Sequence, residues 1–450
     1  MPGDRSTVER AGRFLVAVCA GVAATLLVTL VVAQFQPSHD PEDGELVILS
    51  GRDDGYGNQR QALVDQWNAL HPRNQARIEE LAAVADAQRS EMVARAQGGG
   101  KGDADIYNLD VTWTAEFASQ GYIRALDDPD TGGFLPAPLA TCRYDGELWA
   151  LPFNTDAGML YYRDDYVGTA PTSWPQLVAA SQSVLTGFGA IPEKDRPSAG
   201  YAGQLADYEG LTVNALEAIW GAGGDVVDGD GTVVIDSSAA QDGLTRLASG
   251  LQKSTPQVIL PASATFDEAA ATQAFAEGKV LFMRNWPVAH RTLDPPPALA
   301  PAPGSTPGPA ASPATDTRPA LRFGVTRLPG PSALGGQNLA VSAHSRRPNA
   351  ARQLIEFLTS ERSQQILFER GGFAATREIV YRDAEVVQRY RYAPTLLEAI
   401  RSARTRPVTP HYAQFSETFR AVVREALANG GQLPADAKTR LEAALKGYKR

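Results

Sequence analysis

Segments typical of strands and helices alternate through the chain beyond residue 45. Residues 46–49 form a continuous apolar run typical of a buried strand, and apolar residues at helical spacing follow over 58–70. A strand over 77–81, a helix over 82–97 and a strand over 104–109 continue the alternation. Parallel strands need crossover connections of this length, and the crossover is usually a helix. The sequence therefore predicts an α/β fold with a mainly parallel sheet.

One segment, LPFNTDAGMLYYRDD at 151–165, combines small polar side chains with aromatic ones. A strand led by proline carries Asn154 and Asp156, and Gly158 then introduces a second strand with two tyrosines. A sugar pocket needs this combination, because hydroxyls require hydrogen-bond partners while the apolar ring faces pack on aromatic side chains. An ordinary strand–turn–strand with buried tyrosines is the alternative interpretation.

The amino terminus has the pattern of a membrane segment. Arg5, Arg10 and Arg13 precede an uncharged run over 14–33, which has the length of roughly 20 residues that spans a bilayer. Basic residues on the N-terminal side predict that residues 1–13 are cytoplasmic and that the bulk of the chain lies outside the cell membrane. Cleavage after Ala33, as in a signal peptide, remains the alternative.

Composition limits the partners and cofactors. More than 400 residues follow the apolar run, enough for two domains of roughly 100–200 residues each. The net charge of −9 argues against a nucleic-acid partner. The five histidines show no spacing typical of metal ligands, and the glycines at 98–102 lack the Gly-Lys-Ser/Thr ending of a phosphate loop. We therefore predict no cofactor and no metal.

A stretch over 293–320 consists almost entirely of Pro, Ala, Ser, Thr and Gly. Such a composition cannot bury enough apolar surface to form a core. The sequence predicts a disordered surface loop, inserted into the chain between two ordered regions.

The order of short motifs resembles that of the extracellular solute-binding proteins of sugar ABC importers, the family of maltose- and trehalose-binding proteins. The resemblance runs from about Leu46 to the C-terminus and rests on these motifs in order: ADIYNLD at 104–110, WTAEF at 113–117, YDGELWALPF at 144–153, GMLYYR at 158–163, FAEGKV at 275–280, Trp286-Pro287, Gly335-Gly336, LAVS at 339–342 and the helix at 350–360.

The resemblance implies a two-lobe periplasmic-binding-protein fold with hinge crossovers and a ligand cleft between the lobes. Residues 45–154 and 286–345 are expected in lobe 1, and residues 155–285 and 346–450 in lobe 2. The implied function is capture of a di- or oligosaccharide by a monomer, without catalysis, and delivery to the transmembrane subunits of an ABC permease. A membrane-anchored ligand sensor and a glycoside-cleaving enzyme remain alternatives.

The resemblance also implies roles for individual residues. Trp286 would stack on a sugar ring, Arg406 would donate to hydroxyls from lobe 2, and Gly336 would permit a close approach of the backbone. Hydroxyl-binding or cleft-lining roles fall to five further residues, namely Asp53, Asp54, Asp110, Asn154 and Asp156. Gln337 stands where related sugar binders often carry an aromatic residue, so one stacking platform is missing.

Structural roles remain open for several of these residues. Trp286 fits simple core packing, Asp110 fits a helix N-cap, and Arg406 fits a solvated surface arginine. Asp53 and Asp54 fit the turn that precedes the first helix.

Overall fold

Strands and helices are interspersed up to Val341 in the part of the chain that the structure describes, and helices and short turns follow. The strands are β1 (Leu46–Ser50), β2 (Ala76–Glu80), β3 (Ile106–Asp110), β4 (Arg143–Tyr144), β5 (Glu147–Leu148), β6 (Leu151–Ala157), β7 (Met159–Tyr162), β8 (Ala199–Ala202), β9 (Val280–Asn285), β10 (Gly324–Arg327) and β11 (Leu334–Val341). The helices are α1 (Gln59–Leu70), α2 (Ala85–Gln97), α3 (Thr114–Ser119), α4 (Pro136–Ala140), α5 (Trp174–Thr186), α6 (Glu209–Gly221), α7 (Ser238–Leu251), α8 (Glu268–Ala276), α9 (Ala289–Leu293), α10 (Pro348–Leu358), α11 (Glu361–Ile366), α12 (Ala384–Arg389), α13 (Ala393–Ser402), α14 (Tyr412–Ala428) and α15 (Ala437–Leu445). Short 3₁₀ or π turns cover Pro261–Thr265, Leu367–Gly371 and Glu378–Arg382.

This structure is a computed structural model that describes residues 40–53, 55, 57–82, 84–98, 104–187, 196–294 and 321–448. The predicted membrane segment at 14–33, Asp54 and nearly all of the predicted disordered loop at 293–320 lie outside these residues. Within the described ranges, no helix is both long enough and apolar enough to cross a membrane.

The first lobe is built on a five-stranded sheet in the order β2–β1–β3–β11–β6. Strands β2, β1 and β3 run parallel, as the alternating sequence predicts, while β11 runs antiparallel to both β3 and β6. Helix α1 packs on this sheet through Leu63, Val64 and Trp67, three residues at helical spacing that are buried in the lobe's core.

The second lobe is built on a four-stranded sheet in the order β10–β7–β9–β8. Helices α6, α7 and α14 pack against one another on this lobe and contribute the buried faces of one hydrophobic cluster. The N-terminal caps of α5 and α7 are Ser173 and Ser237, whose side chains accept hydrogen bonds from the backbone of the first turn.

The chain crosses between the two sheets at adjacent places. Strand β6 belongs to the first sheet and β7 to the second, and Gly158 alone separates them. The chain returns between β10 and β11, and a third segment runs beside this return. The backbone N–H of Leu334 donates to the carbonyl of Arg404 at 2.8 Å, and the N–H of Arg404 donates to the carbonyl of Ser332 at 2.8 Å. The strand–Gly158–strand prediction for 151–165 is therefore confirmed, with the two strands in different sheets.

The lobe boundaries expected from the sequence differ from the structure, most clearly at strand β10 and helix α10. Strand β10 was expected in lobe 1 but pairs with β7 in the second sheet. Helix α10 was expected in lobe 2, yet Ala350, Leu354 and Leu358 are buried in the core of the first lobe. The cause is the amphipathic face of α10, which covers the first sheet next to β11.

Strand β11 includes Gly335 and Gly336, the paired-glycine motif of the sequence. Gly336 adopts a φ of +123°, and a Cβ at this position would lie 2.3 Å from the carbonyl oxygen of Asn154. The glycine therefore lets β11 pass close to β6, and the close approach expected at Gly336 is made to a neighbouring strand of the protein itself.

A buried ion pair between Glu217 and Arg284 holds the crossovers together. The guanidinium group of Arg284 donates to both carboxylate oxygens of Glu217, at 2.9 and 2.8 Å, and the two side chains are 1% and 7% exposed. The backbone N–H of Ala333, on the return crossover, donates to Glu217 at 3.0 Å. A Cβ at Gly158 would lie 2.5 Å from the same carboxylate. One carboxylate therefore contacts both crossovers.

We expect Glu217→Gln to lower the free energy of unfolding by about 3–5 kcal/mol. The substitution leaves the charge of Arg284 buried without its counterion, which is the costly way to break a buried pair. Urea denaturation, followed by circular dichroism, measures the change.

The control is Glu378→Gln, because Glu378 pairs with Arg382 and Arg401 near the surface. Exposed pairs contribute little to stability, so this variant should unfold at nearly the urea concentration of the parent protein. An unchanged midpoint for Glu217→Gln would contradict the role assigned to the buried pair.

Candidate functional site

The residues predicted to bind ligand converge where the first sheet meets the crossovers. Gln337 on β11 lies opposite Asp110 on one side and Asn154 on the other. These three side chains share one face of the sheet, and so does Asp156, two positions beyond Asn154 on β6. The strand register therefore aligns these polar groups on one surface of the first sheet, which forms the floor of the candidate site.

Trp286 reaches the same floor from the second lobe. Gly335 lies between them, because a Cβ at that position would be 3.1 Å from Trp286 Cζ3 and 3.2 Å from Asp156 Cβ. The guanidinium carbon of Arg284 lies 3.8 Å from the centroid of the indole ring, and the indole N–H donates to Glu268 Oε1 at 3.2 Å. The ring is half-buried, so these contacts hold it in place while part of its surface stays accessible.

Arg406 joins the two lobes across the floor. Its Nη2 lies 3.1 Å from Asp110 Oδ1 at the end of β3, and its Nη1 lies 2.7 Å from Glu209 Oε1 at the start of α6. The side chain is 2% exposed, which excludes the solvated surface arginine left open by the sequence. Burial opposes the charge, but the carboxylates of Asp110 and Glu209 hold the pKa of Arg406 above its ordinary value.

Asp110 also fixes the local backbone. Its Oδ1 accepts from the N–H of Thr112 at 2.9 Å and from the hydroxyl of Thr112 at 2.7 Å. Helix α3 has Trp113 at its N-cap, so Asp110 stabilises a turn and does not cap the helix. One carboxylate thus serves the turn and the contact with Arg406 together.

Asn154 and Asp156 carry polar atoms that no group within the described residues satisfies. Both side-chain polar atoms of Asn154, which is 2% exposed, lack a hydrogen-bond partner. Asp156 is half-buried, and burial raises the pKa of its carboxyl to about 7, although Arg60, Arg284 and Arg406 oppose this rise. Unsatisfied buried polar atoms are costly and mark places where a ligand or water binds.

Asp53 accepts hydrogen bonds from the backbone on both of its carboxylate oxygens. Its Oδ1 accepts from the N–H of Gly55 at 2.9 Å, and its Oδ2 accepts from the N–H of Arg60 at 3.1 Å, in the first turn of α1. Both oxygens therefore stabilise the loop before the helix, as the structural alternative expects.

Tyr161 lies in the protein core and donates its hydroxyl to the carbonyl of Trp286 at 2.8 Å. This hydrogen bond fixes the backbone of Trp286 from the side of the core.

Sequence reasoning missed the acidic groups of the second lobe. Glu209 accepts from the hydroxyls of Tyr412 and Ser416 in addition to Arg406. Glu268 accepts from the hydroxyl of Tyr208 at 2.7 Å as well as from Trp286. For Glu217 a signal exists, since it is a charged residue inside an otherwise apolar helical stretch. For Glu209 and Glu268 the partners lie far along the chain, and no local pattern predicts them.

A second arginine crosses between the lobes away from the floor. Arg420 on α14 pairs with Asp86 at the start of α2, at 3.1 Å, and with Asp207 of its own lobe at 3.4 Å. Asp207 also pairs with Arg424. The first and second lobes therefore meet through two arginines, each of which also contacts an acid just before or at the start of α6.

Comparison with known proteins gives a consistent result. A family model described as bacterial extracellular solute-binding protein matches residues 54–365. A probable ABC transporter-binding protein of Deinococcus radiodurans is 28% identical over 381 residues, which cover 81% of this chain and 84% of the relative.

Solved structures agree in fold. Maltose-bound MalE3 of T. maritima superimposes with a TM-score of 0.75 at 27% identity, over 90% of this chain and 99% of that one. The GacH receptor of Streptomyces glaucescens, known unliganded and with acarbose, has a TM-score of 0.71 at 22% identity, over 91% of this chain and 100% of its own. At 22% identity, the similarity to the GacH receptor concerns the fold alone.

Proposed function

The chain belongs to the family of bacterial extracellular solute-binding proteins, and we propose that it captures a di- or oligosaccharide and delivers it to the permease of an ABC importer. The observation that carries the proposal is the aromatic ring of Trp286 near Asp156, on the sheet face that also carries the unsatisfied polar atoms of Asn154. Sugars need both an apolar platform and hydroxyl partners. The T. maritima relative is maltose-bound, which supports the same ligand class.

Closure of the lobes around the ligand would be the signal for the permease. A ligand that contacts Trp286 from one lobe and Asp110 or Asp156 from the other binds the closed form more tightly than the open one. Such a difference in affinity shifts the population towards the closed form. The crossovers at Gly158 and at 328–333 are the hinge in this proposal.

We expect titration calorimetry with a panel of neutral di- and oligosaccharides to give saturable heats for at least one of them. Full-length protein in detergent is the sample. A chromogenic glycoside incubated with the same sample should release no product, because the protein binds sugars without cleaving them. The absence of binding by every sugar in the panel would refute the carbohydrate assignment, and release of product would favour a glycoside-cleaving enzyme.

We expect Trp286→Ala to weaken binding of that sugar by roughly 1–3 kcal/mol, the order associated with a lost buried aromatic contact. Asp110→Ala should have a comparable effect, because it leaves ligand hydroxyls without a partner in a closed cleft. Arg406 keeps Glu209 as its counterion in that variant, so the free protein should stay folded.

Melting temperature without ligand, measured beside the affinity, separates binding from stability. The control is Trp67→Phe, because Trp67 is buried in the core of the first lobe. That variant should lose stability while its folded fraction keeps the parent affinity. The same behaviour in Trp286→Ala would assign Trp286 to core packing.

The N-terminal apolar run at 14–33 would keep the protein on the outer face of the cytoplasmic membrane as an uncleaved anchor. Its length and the preceding arginines support this role. Fractionation of the native protein should find it in the membrane, with an intact N-terminus by mass spectrometry. A soluble product that begins near Gln34 would identify the run as a cleaved signal peptide.

A further inference from the structure

Asp156 is the one carboxylate of the cleft floor that lacks a partner among the described residues. Glu217 pairs with Arg284, and Asp110 pairs with Arg406. The remaining two carboxylates of the floor also have donors: Glu209 accepts from Arg406, Tyr412 and Ser416, and Glu268 accepts from Trp286 and Tyr208. No hydrogen bond or ion pair of the described residues ends on the Asp156 side chain, and the residue is partly exposed.

A second, independent feature lies two residues away on the same face of β6. Asn154 is 2% exposed, and both its amide oxygen and its amide nitrogen lack partners within the described part of the chain. Satisfied buried amides are the rule in folded proteins. Asn154 and Asp156 together present one donor and several acceptors to a ligand, with a negative charge at the Asp156 end.

The balance of charge at the floor is negative. Five carboxylates, of Asp110, Asp156, Glu209, Glu217 and Glu268, face three guanidinium groups, of Arg60, Arg284 and Arg406. An anionic ligand would add to this excess in a cleft that excludes water. A cationic ligand would balance it.

We infer that the cleft selects carbohydrates that carry a protonated amine, with the Asp156 carboxylate as acceptor for the ammonium group and the Asn154 amide as partner for an adjacent hydroxyl. The inference rests on the proposed function and names the ligand class of the same site. In this inference, Asp156 is the residue that distinguishes amines from neutral sugars, because the other carboxylates already have donors.

An ammonium group fits Asp156 better than a hydroxyl does. A hydroxyl supplies one hydrogen bond but no counter-charge, so the carboxyl binds it either as a buried charge, which is costly, or after taking up a proton. An ammonium group supplies a charge-assisted hydrogen bond, which is roughly twice as strong as a neutral one. The arginines near Asp156 already have acceptors, since Arg284 and Arg406 pair with carboxylates and Arg60 donates to Ser50, Gly51 and Gln337.

The preference should depend on pH. Burial raises the pKa of Asp156 to about 7, with Asp110 adding to the rise and Arg60, Arg284 and Arg406 opposing it. Below that pH the free carboxyl holds a proton, and binding of an ammonium group must release it. The advantage of the amine should therefore shrink as the pH falls from 7 to 5, whereas a neutral sugar can bind the protonated carboxyl.

Titration calorimetry on full-length protein in detergent tests the inference with two matched pairs of ligands. The pairs are cellobiose with the fully deacetylated chitosan disaccharide, and trehalose with 2-amino-2-deoxytrehalose, so that each pair compares a neutral sugar with a primary amine of the same size. Cellobiouronic acid serves as the anionic probe. At pH 7 we expect the amine to bind roughly tenfold or more tightly in at least one pair, the order expected when a hydrogen bond becomes charge-assisted. The anionic probe should bind weakest.

The Asp156→Asn variant should abolish the difference between amine and neutral sugar. Asp86→Asn is the matched control, because it removes an aspartate charge from the Arg420 contact between the lobes and not from the floor. Its effect on closure applies equally to both members of a pair, so the ratio of their affinities should stay at the parent value.

The possible outcomes are distinct. Tighter binding of a neutral sugar than of the amine in both pairs, or an amine preference that survives Asp156→Asn, overturns the inference and leaves the proposed function intact. An amine preference that grows from pH 7 to pH 5 also overturns it. Failure of every carbohydrate to bind, neutral or charged, overturns the proposed function together with the inference.

Discussion

The buried pair of Glu217 and Arg284 is the interaction on which the arrangement of the two lobes depends. Its carboxylate accepts from the backbone of the return crossover at Ala333 and lies against Gly158 on the outgoing one. Its guanidinium group lies under the indole ring of Trp286. Two charges removed from water stabilise a fold only when hydrogen bonds satisfy both of them. That condition is met here by the backbone N–H of Ala333 on the return crossover, which donates to Glu217, and by Gln204, which accepts from Arg284. The same pair therefore fixes the hinge and the platform on which a ligand is expected to rest.

The site follows from the way in which strands of the first sheet end. Asp110, Asn154 and Asp156 come to one edge because β3, β11 and β6 are neighbours in the sheet. The second lobe adds Trp286, Arg406 and its acids from segments that meet this edge only after the chain has crossed over. Neither lobe alone contains a complete set of ligand partners, which is the physical reason for placing the ligand between them.

Much of this arrangement could be predicted from the sequence, and the rest could not for identifiable reasons. Local patterns predict β1 to β3, the helices between them and the two strands around Gly158, since periodicity and glycine act over short distances. The resemblance implies ligand-binding roles for Asp110, Asp156, Trp286 and Arg406. The structure places these four residues close together around the floor of the candidate site. The partners of Arg406 are 197 and 296 residues away in the chain, and no local pattern carries that information. The assignment of α10 to the wrong lobe has the same origin, because its apolar face does not specify which sheet it covers.

The two arginines that cross between the lobes have a shared property with a consequence for the resting protein. Arg406 and Arg420 each contact one acid of the first lobe and one of their own, Glu209 and Asp207 respectively. When the lobes separate, each arginine keeps the acid of its own lobe as a counterion, so the charge of neither arginine is left unpaired. Separation therefore breaks one ion pair of each arginine and keeps the other, which costs less than parting an arginine from its only counterion. A lower cost of opening favours an empty receptor that stays open until cargo arrives, and a transporter then meets fewer closed receptors without cargo.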